Sequence, residues 1–170
     1  MSGSQTVKVG LIIVTAVVVQ TSYVAELRIG NAIGNVVLLV GIAAGVEGGA
    51  ERGAVVGFVA GLTFDAVLQT PFGLTALVLC IVSYLVGSFQ RSVLRAAWWI
   101  PVATAMAATA ASVILYVLIG QLLGQQYRVA NLPMILFVTS LLNGFLSPVV
   151  LRAMHWALPQ DRSPSGLLAR

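Results

Sequence analysis

Gly53-Ala-Val-Val-Gly57-Phe-Val-Ala-Gly61-Leu-Thr-Phe-Asp65 is an apolar run with a glycine at every fourth position and one acid at its end. On a helix, positions i, i+4 and i+8 share a face, and glycines there let a second helix approach closely. Asp65 continues the same spacing. An acid at a membrane helix centre costs about 2.5–3.5 kcal/mol on insertion scales. Counted from Ala54, Asp65 lies roughly 16 Å along such a helix, near the midplane of a hydrocarbon core about 30 Å thick. It therefore needs a hydrogen-bond partner, a water pocket or a function. The stretch marks the packing centre of a membrane protein and points to assembly or ligand binding before catalysis.

The rest of the chain agrees. Of its 170 residues, 59% are hydrophobic and only 8% charged, against about 25% charged in a soluble domain. Six apolar segments stand out, at 7–25, 33–46, 54–68, 73–89, 98–123 and 132–154. They predict an all-α, polytopic membrane protein, a compact bundle of six transmembrane helices forming one domain over 1–158. The polar stretch 159–170 is predicted to be a disordered cytoplasmic tail. A crossing needs about 20 residues, so the second and third segments are short. Lys8 and the apolar run 9–19 imitate a secretory signal, but the run leads into further spans and reads as a retained first helix.

Charge sets the expected orientation. With the N-terminus in the cytoplasm and six crossings, Lys8, Arg52, Arg91, Arg95, Arg152, Arg162 and Arg170 face inward, and Arg28 and Arg128 outward. That bias is the positive-inside pattern and puts both termini in the cytoplasm. The stretch 47–53 reads as a tight inner turn and 69–73, with Pro71 and Gly73, as a tight outer one. Trp98, Trp99 and Trp156 suit the inner headgroup belt. The basic residues are scattered singly, which fits topology and lipid headgroups rather than nucleic acid.

Few groups could carry chemistry. Asp65 reads either as a ligand, proton carrier or partner anchor, or as an acid hydrogen-bonded within the bundle to Asn143, Thr75 or Ser83. A proton relay ordinarily shows several acids or histidines in the membrane; here there is one. Gly41/Gly45/Gly49 and Ala103/Ala107/Ala111 repeat the small-residue spacing, and the pattern leaves open whether such faces pack inside the bundle or between molecules. Asn143 predicts a hydrogen bond across a helix interface, and Pro148 a kink in the last span. His155, the single histidine, stands without a cysteine or acid cluster, so no metal site is expected. Cys80 has no second cysteine to pair with. No phosphate-cradling loop, zinc-protease motif or nucleophile elbow occurs, and no cofactor or catalytic residue is expected.

The stretch Gly57-Phe-Val-Ala-Gly-Leu-Thr-Phe-Asp65, followed by Thr70-Pro-Phe-Gly-Leu-Thr-Ala-Leu77 and Tyr84-Leu-Val-Gly87, resembles the MreD family of rod-shape-determining proteins. Thr63 stands where that family commonly has an aliphatic residue. The resemblance implies a non-enzymatic scaffold of the bacterial cell-elongation complex in the plasma membrane. Its partners would be an MreC-type anchored protein and, directly or indirectly, the MreB filament and the RodA/transpeptidase wall synthase. It implies that Gly57, Gly61, Asp65, Pro71 and Gly73 shape the bundle and its docking face, with Asn143 and Pro148 in the late span. It also implies a fold similar to the substrate-binding subunits of energy-coupling-factor transporters. A vitamin-binding subunit of such a transporter is the alternative reading. The outer half of the sequence offers few convergent polar groups for that pocket.

Overall fold

The computed structural model describes residues 3–24, 34–67, 72–93, 100–124 and 132–158. They form six α-helices: α1 (Gly3–Val19), α2 (Val36–Gly48), α3 (Ala50–Val67), α4 (Leu74–Val93), α5 (Ile100–Leu122) and α6 (Leu132–Ala157). A π-helical turn, Gln20–Val24, continues α1. Pro71, the stretch 125–131 and the tail 159–170 lie outside the described residues. Three stretches, Gly3–Ser22, Ile100–Leu122 and Pro133–Ala157, are long and apolar enough to cross a membrane.

The shortest helix is the centre of the bundle. At 13 residues, α2 spans about 20 Å, short of a core about 30 Å thick. Every residue from Val36 to Val46 is buried, and α2 touches each of the other five helices. A helix apolar on all sides has no preferred face and is stable only when enclosed.

Boundaries differ from the sequence expectation where glycines and charges cluster. The tight turn expected in 47–53 narrows to a single residue: α2 runs to Gly48, α3 starts at Ala50, and Gly49 alone joins them. Gly49 has φ +83°, its N–H donates to the Gly45 carbonyl at 3.0 Å, and its own carbonyl accepts from Gly53 N–H at 2.9 Å. A left-handed residue at this position favours glycine. Glu51 sits in the first turn of α3, where a negative charge favours the helix start. At the other ends, α4 continues past Phe89 to Val93 and α6 past Met154 to Ala157.

Several hydroxyls in the apolar helices are satisfied locally. The hydroxyls of Thr15, Thr63, Ser88 and Thr104 each donate to the carbonyl four residues back, at 2.8–2.9 Å. This back-bonding explains how Thr63 stands where an aliphatic residue is common. Pro148 lies inside α6 and cannot donate to the Gly144 carbonyl. Ser147 Oγ donates to that carbonyl instead, at 2.8 Å. The hydroxyl next to the proline thus replaces the bond the proline removes.

The glycines decide how the inner helices meet. A Cβ on Gly57 would lie 2.7 Å from the Leu79 carbonyl oxygen, and one on Gly53 2.6 Å from Gly45 Cα. One on Gly45 would lie 2.6 Å from the Ser83 carbonyl oxygen. The faces Gly41/Gly45 and Gly53/Gly57/Gly61 therefore close on each other and on α4 inside the bundle. Ser83 Oγ is wholly buried with no hydrogen-bond partner. It sits where added Cβ atoms on Gly41 and Gly57 would meet it, at 2.5 and 2.6 Å. Weak Cα–H···O contacts from such glycines recur at close helix crossings. The third small-residue stripe behaves differently: Ala103, Ala107 and Ala111 are all exposed on α5.

Candidate functional site

Two helix starts are buried in this bundle, and the polar residues singled out by the sequence hold them. The first four N–H groups of any helix lack partners within it, and leaving one buried and unpaired costs about 1–3 kcal/mol.

At the start of α4, Asp65 supplies the acceptor. Its Oδ2 accepts from the backbone N–H of Gly73 at 2.9 Å, Thr75 at 3.1 Å and Ala76 at 3.2 Å. The carboxyl thus caps a helix to which it does not belong, from the last turns of α3. Asp65 is 2% exposed. Gly61, one turn earlier, makes this reach possible: a Cβ there would lie 2.5 Å from Ala76 Cα and 2.7 Å from Ala76 N. Gly73 has φ +93°, a conformation that favours glycine. Gly57, Gly61, Asp65 and Gly73 therefore form one joint between α3 and α4. Of the partners expected for Asp65, Thr75 is found, through its backbone N–H rather than its hydroxyl. Asn143 bonds elsewhere, and Ser83 Oγ has no hydrogen-bond partner.

At the start of α2 the caps are amides. Asn35 is the N-cap, and its Oδ1 accepts from Leu38 N–H at 2.9 Å. Gln20 clamps the strand leading in: Nε2 donates to the Gly34 carbonyl and Oε1 accepts from Val36 N–H, both at 2.8 Å. Asn143 of α6, fully buried, accepts from Asn35 N–H at 2.8 Å and donates to Thr109 Oγ1 of α5 at 3.1 Å. Thr109 Oγ1 in turn donates a hydrogen bond to the Ala105 carbonyl at 2.7 Å. Asn143 thereby ties α6 to α5 and to the start of α2, and Pro148 follows it in α6. Gln20 and Thr109 were not singled out from the sequence. Gln20 ends an apolar run, where a glutamine reads as interfacial; only its pairing with residues 14 and 16 positions away shows otherwise.

Asn143→Leu should leave the Asn35 N–H buried and unpaired. The expected loss is about 2 kcal/mol of unfolding free energy, read from denaturant titration of the purified protein in mixed micelles. Wild-type stability would show that water or another group takes over the bond.

At the opposite end of α2, His155 Nδ1 lies 2.9 Å from Glu47 Oε2, and Lys8 Nζ stands 4.4 Å above the Trp156 ring. These contacts tie α1, α2 and α6 together at the bundle surface. Among the described residues, no three His, Cys, Asp or Glu side chains are placed to hold a metal ion.

A family model, rod shape-determining protein MreD, matches residues 5–156. The chain belongs to the MreD family. No curated protein and no solved structure matches it significantly. The MreD match runs from α1 to the last turn of α6 and takes in every capping residue described above. Membership carries a role in rod-shape determination and, with the apolar helices, makes this a membrane protein of the MreD type. The Asp65 joint and the Asn143 node each hold a buried helix start. Asp65 Oδ2 and Asn143 Oδ1 are engaged with backbone N–H groups that the fold would otherwise bury unpaired.

Proposed function

We propose that the protein is a non-enzymatic scaffold of the cell-elongation complex in the bacterial plasma membrane. It holds the membrane anchor of an MreC-type protein and helps position the wall synthase, with the MreB filament engaged directly or indirectly. The observation that carries this reading is the MreD family match over residues 5–156. The geometry supports it, because Asp65 and Asn143 cap helices. Both termini lie in the cytoplasm in this reading, as the positive-inside count of the basic residues requires.

Gly57, Gly61, Asp65 and Gly73 contribute by setting the shape of the α3–α4 unit, and Pro71 lies two residues before Gly73 in the sequence. The anchor helix of the partner is assigned to the exposed stripe of α5, where Ala103, Ala107 and Ala111 are continued by Ile114 and Leu118. Small residues on a lipid-facing helix let a second backbone approach, and the other two small-residue faces are filled from within the bundle.

The test is a mild-detergent pull-down of tagged protein from its native host, read by mass spectrometry. Recovery of an MreC-type protein with wall-synthesis enzymes supports the proposal. Recovery of two cytoplasmic ATPases and a coupling membrane subunit overturns it in favour of a vitamin transporter. Ala107→Leu should cut recovery of the MreC-type partner at least tenfold, a change of about 1.4 kcal/mol, at unchanged yield of the bait.

A further inference from the structure

The bundle end that carries the α2–α3 turn holds a groove of about 420 Å³, lined by Gly49, Glu51, Arg52, Tyr84, Gly87 and Ser88 among others. Its floor is backbone. A Cβ on Gly87 would lie 2.5 Å from Ala50 N and 2.6 Å from the Gly49 carbonyl carbon, so α4 presses directly on the turn. The aliphatic stem of Arg52 lies along Gly48, where an added Cβ would be 2.9 Å from Arg52 Cβ.

The lining carries both signs of charge. Neither Glu51 nor Arg52 has an ion-pair or hydrogen-bond partner among the described residues. Nearby, Glu47 is engaged by His155. The Tyr84 hydroxyl is likewise without a partner there, and Ser88 Oγ donates to the Tyr84 carbonyl at 2.9 Å, leaving its lone pairs available. The groove lies at the same end of the bundle as Trp156, Lys8 and His155, the aromatic and charged residue types that favour a membrane interface. From it, exposed apolar residues run along both helices: Val55 and Val59 on α3, and Leu85 and Phe89 beside it on α4.

We infer that this groove binds the headgroup of a zwitterionic phospholipid bearing a primary ammonium, phosphatidylethanolamine in chemical class. Arg52 and the Tyr84 hydroxyl meet the phosphodiester, and Glu51 accepts from the ammonium. The acyl chains lie on the apolar ridges of α3 and α4. A water's share of liquid volume is about 30 Å³, so the groove has room for a headgroup and several waters. A lone phosphate would leave Glu51 facing an anion. A trimethylated ammonium offers Glu51 no N–H donor. An anionic lipid without an ammonium would likewise leave that carboxylate unmatched.

The test is native mass spectrometry of the full chain released from nanodiscs containing equal amounts of phosphatidylethanolamine, phosphatidylcholine and phosphatidylglycerol with identical acyl chains. Phosphatidylethanolamine adducts should predominate about tenfold, a difference of roughly 1.4 kcal/mol, within the range for charge-assisted bonds. Glu51→Gln should abolish the preference over phosphatidylcholine, and Arg52→Ala should reduce retention of all three lipids. Both residues lie outside the buried core, and a monodisperse elution profile checks that each variant is folded. Equal retention of the three lipids, a preference for phosphatidylglycerol, or an ethanolamine preference that survives both variants would overturn the inference. So would displacement of the lipid by millimolar inorganic phosphate, which would assign the groove to a soluble phosphate compound.

Discussion

Gly61→Leu should yield no monodisperse protein. The first added atom would lie 2.5 Å from Ala76 Cα, 2.7 Å from Ala76 N and 2.9 Å from the Thr75 carbonyl carbon. All three are backbone atoms of the first turn of α4, so no rotamer change relieves the clash. Relief requires moving α4 away from α3, and that movement also pulls the Gly73, Thr75 and Ala76 N–H groups from Asp65. Overpacking of a core ordinarily costs about 1–3 kcal/mol. Adding the broken cap brings the expected loss to about 4 kcal/mol or more, the range reserved for severe mechanisms. Gly61→Ala is expected to cost about 2 kcal/mol, since the Cβ alone already collides. Gly10→Leu is the control. A Cβ on Gly10 meets nothing within 4 Å, so that variant should stay within about 0.5 kcal/mol of wild type. Yield and thermal midpoint in detergent, measured across the three variants, separate a packing clash from a general intolerance of larger residues. A Gly61→Leu protein with the wild-type midpoint would show that α4 does not close on α3 as described.

These variants probe the part of the fold that was most legible in the sequence. Spacing of four along a helix is a local property, and Gly53, Gly57, Gly61 and Asp65 announce a shared face without any knowledge of the partner. What spacing cannot encode is which helix fills the face. Ala103, Ala107 and Ala111 have the same period and point outward on α5, whereas the glycine faces close inside the bundle. The difference arises from distant chain, namely where α4 and α2 come to rest. The role of α2 was hidden for a related reason. An unbroken apolar run has no face to read, so the sequence showed only that the second segment is short, and the structure makes it a core helix with a buried start. The clustered charges and glycines of 47–53 marked a tight turn, but not how little of the stretch the turn uses. Here Gly49 makes the turn alone, and Gly45, Gly48 and Gly53 sit where neighbouring atoms exclude a Cβ. The Asn143 node joins residues 108 apart in sequence, and only Asn143 itself signalled it, as a polar amide in an apolar span. Ser147 beside Pro148 is a signal that could have been used, since a hydroxyl one residue before a proline can supply the missing bond.

Asp65 offers the sharpest distinction between an architectural and a chemical acid. One oxygen, Oδ2, accepts all three N–H groups of the α4 start. An asparagine retains one carbonyl oxygen able to take that place, so Asp65→Asn should fold and lose only about 1–2 kcal/mol as charge-assisted bonds become neutral ones. Asp65→Ala removes every acceptor and leaves the three groups without that partner where water is scarce. The expected loss is about 3 kcal/mol or more, with most of the protein lost from the membrane fraction. The ordering of the two variants carries the argument. A cap predicts that Asn preserves both the fold and recovery of the MreC-type partner while Ala destroys both. An acid that carries protons or binds a cation predicts the reverse emphasis: Asn and Ala variants equally inactive, with the Asn protein well folded. Midpoint measurements on the purified variants, paired with the pull-down from the native host, decide between them. A stable Asp65→Asn protein that no longer supports rod shape would show that the charge itself is required.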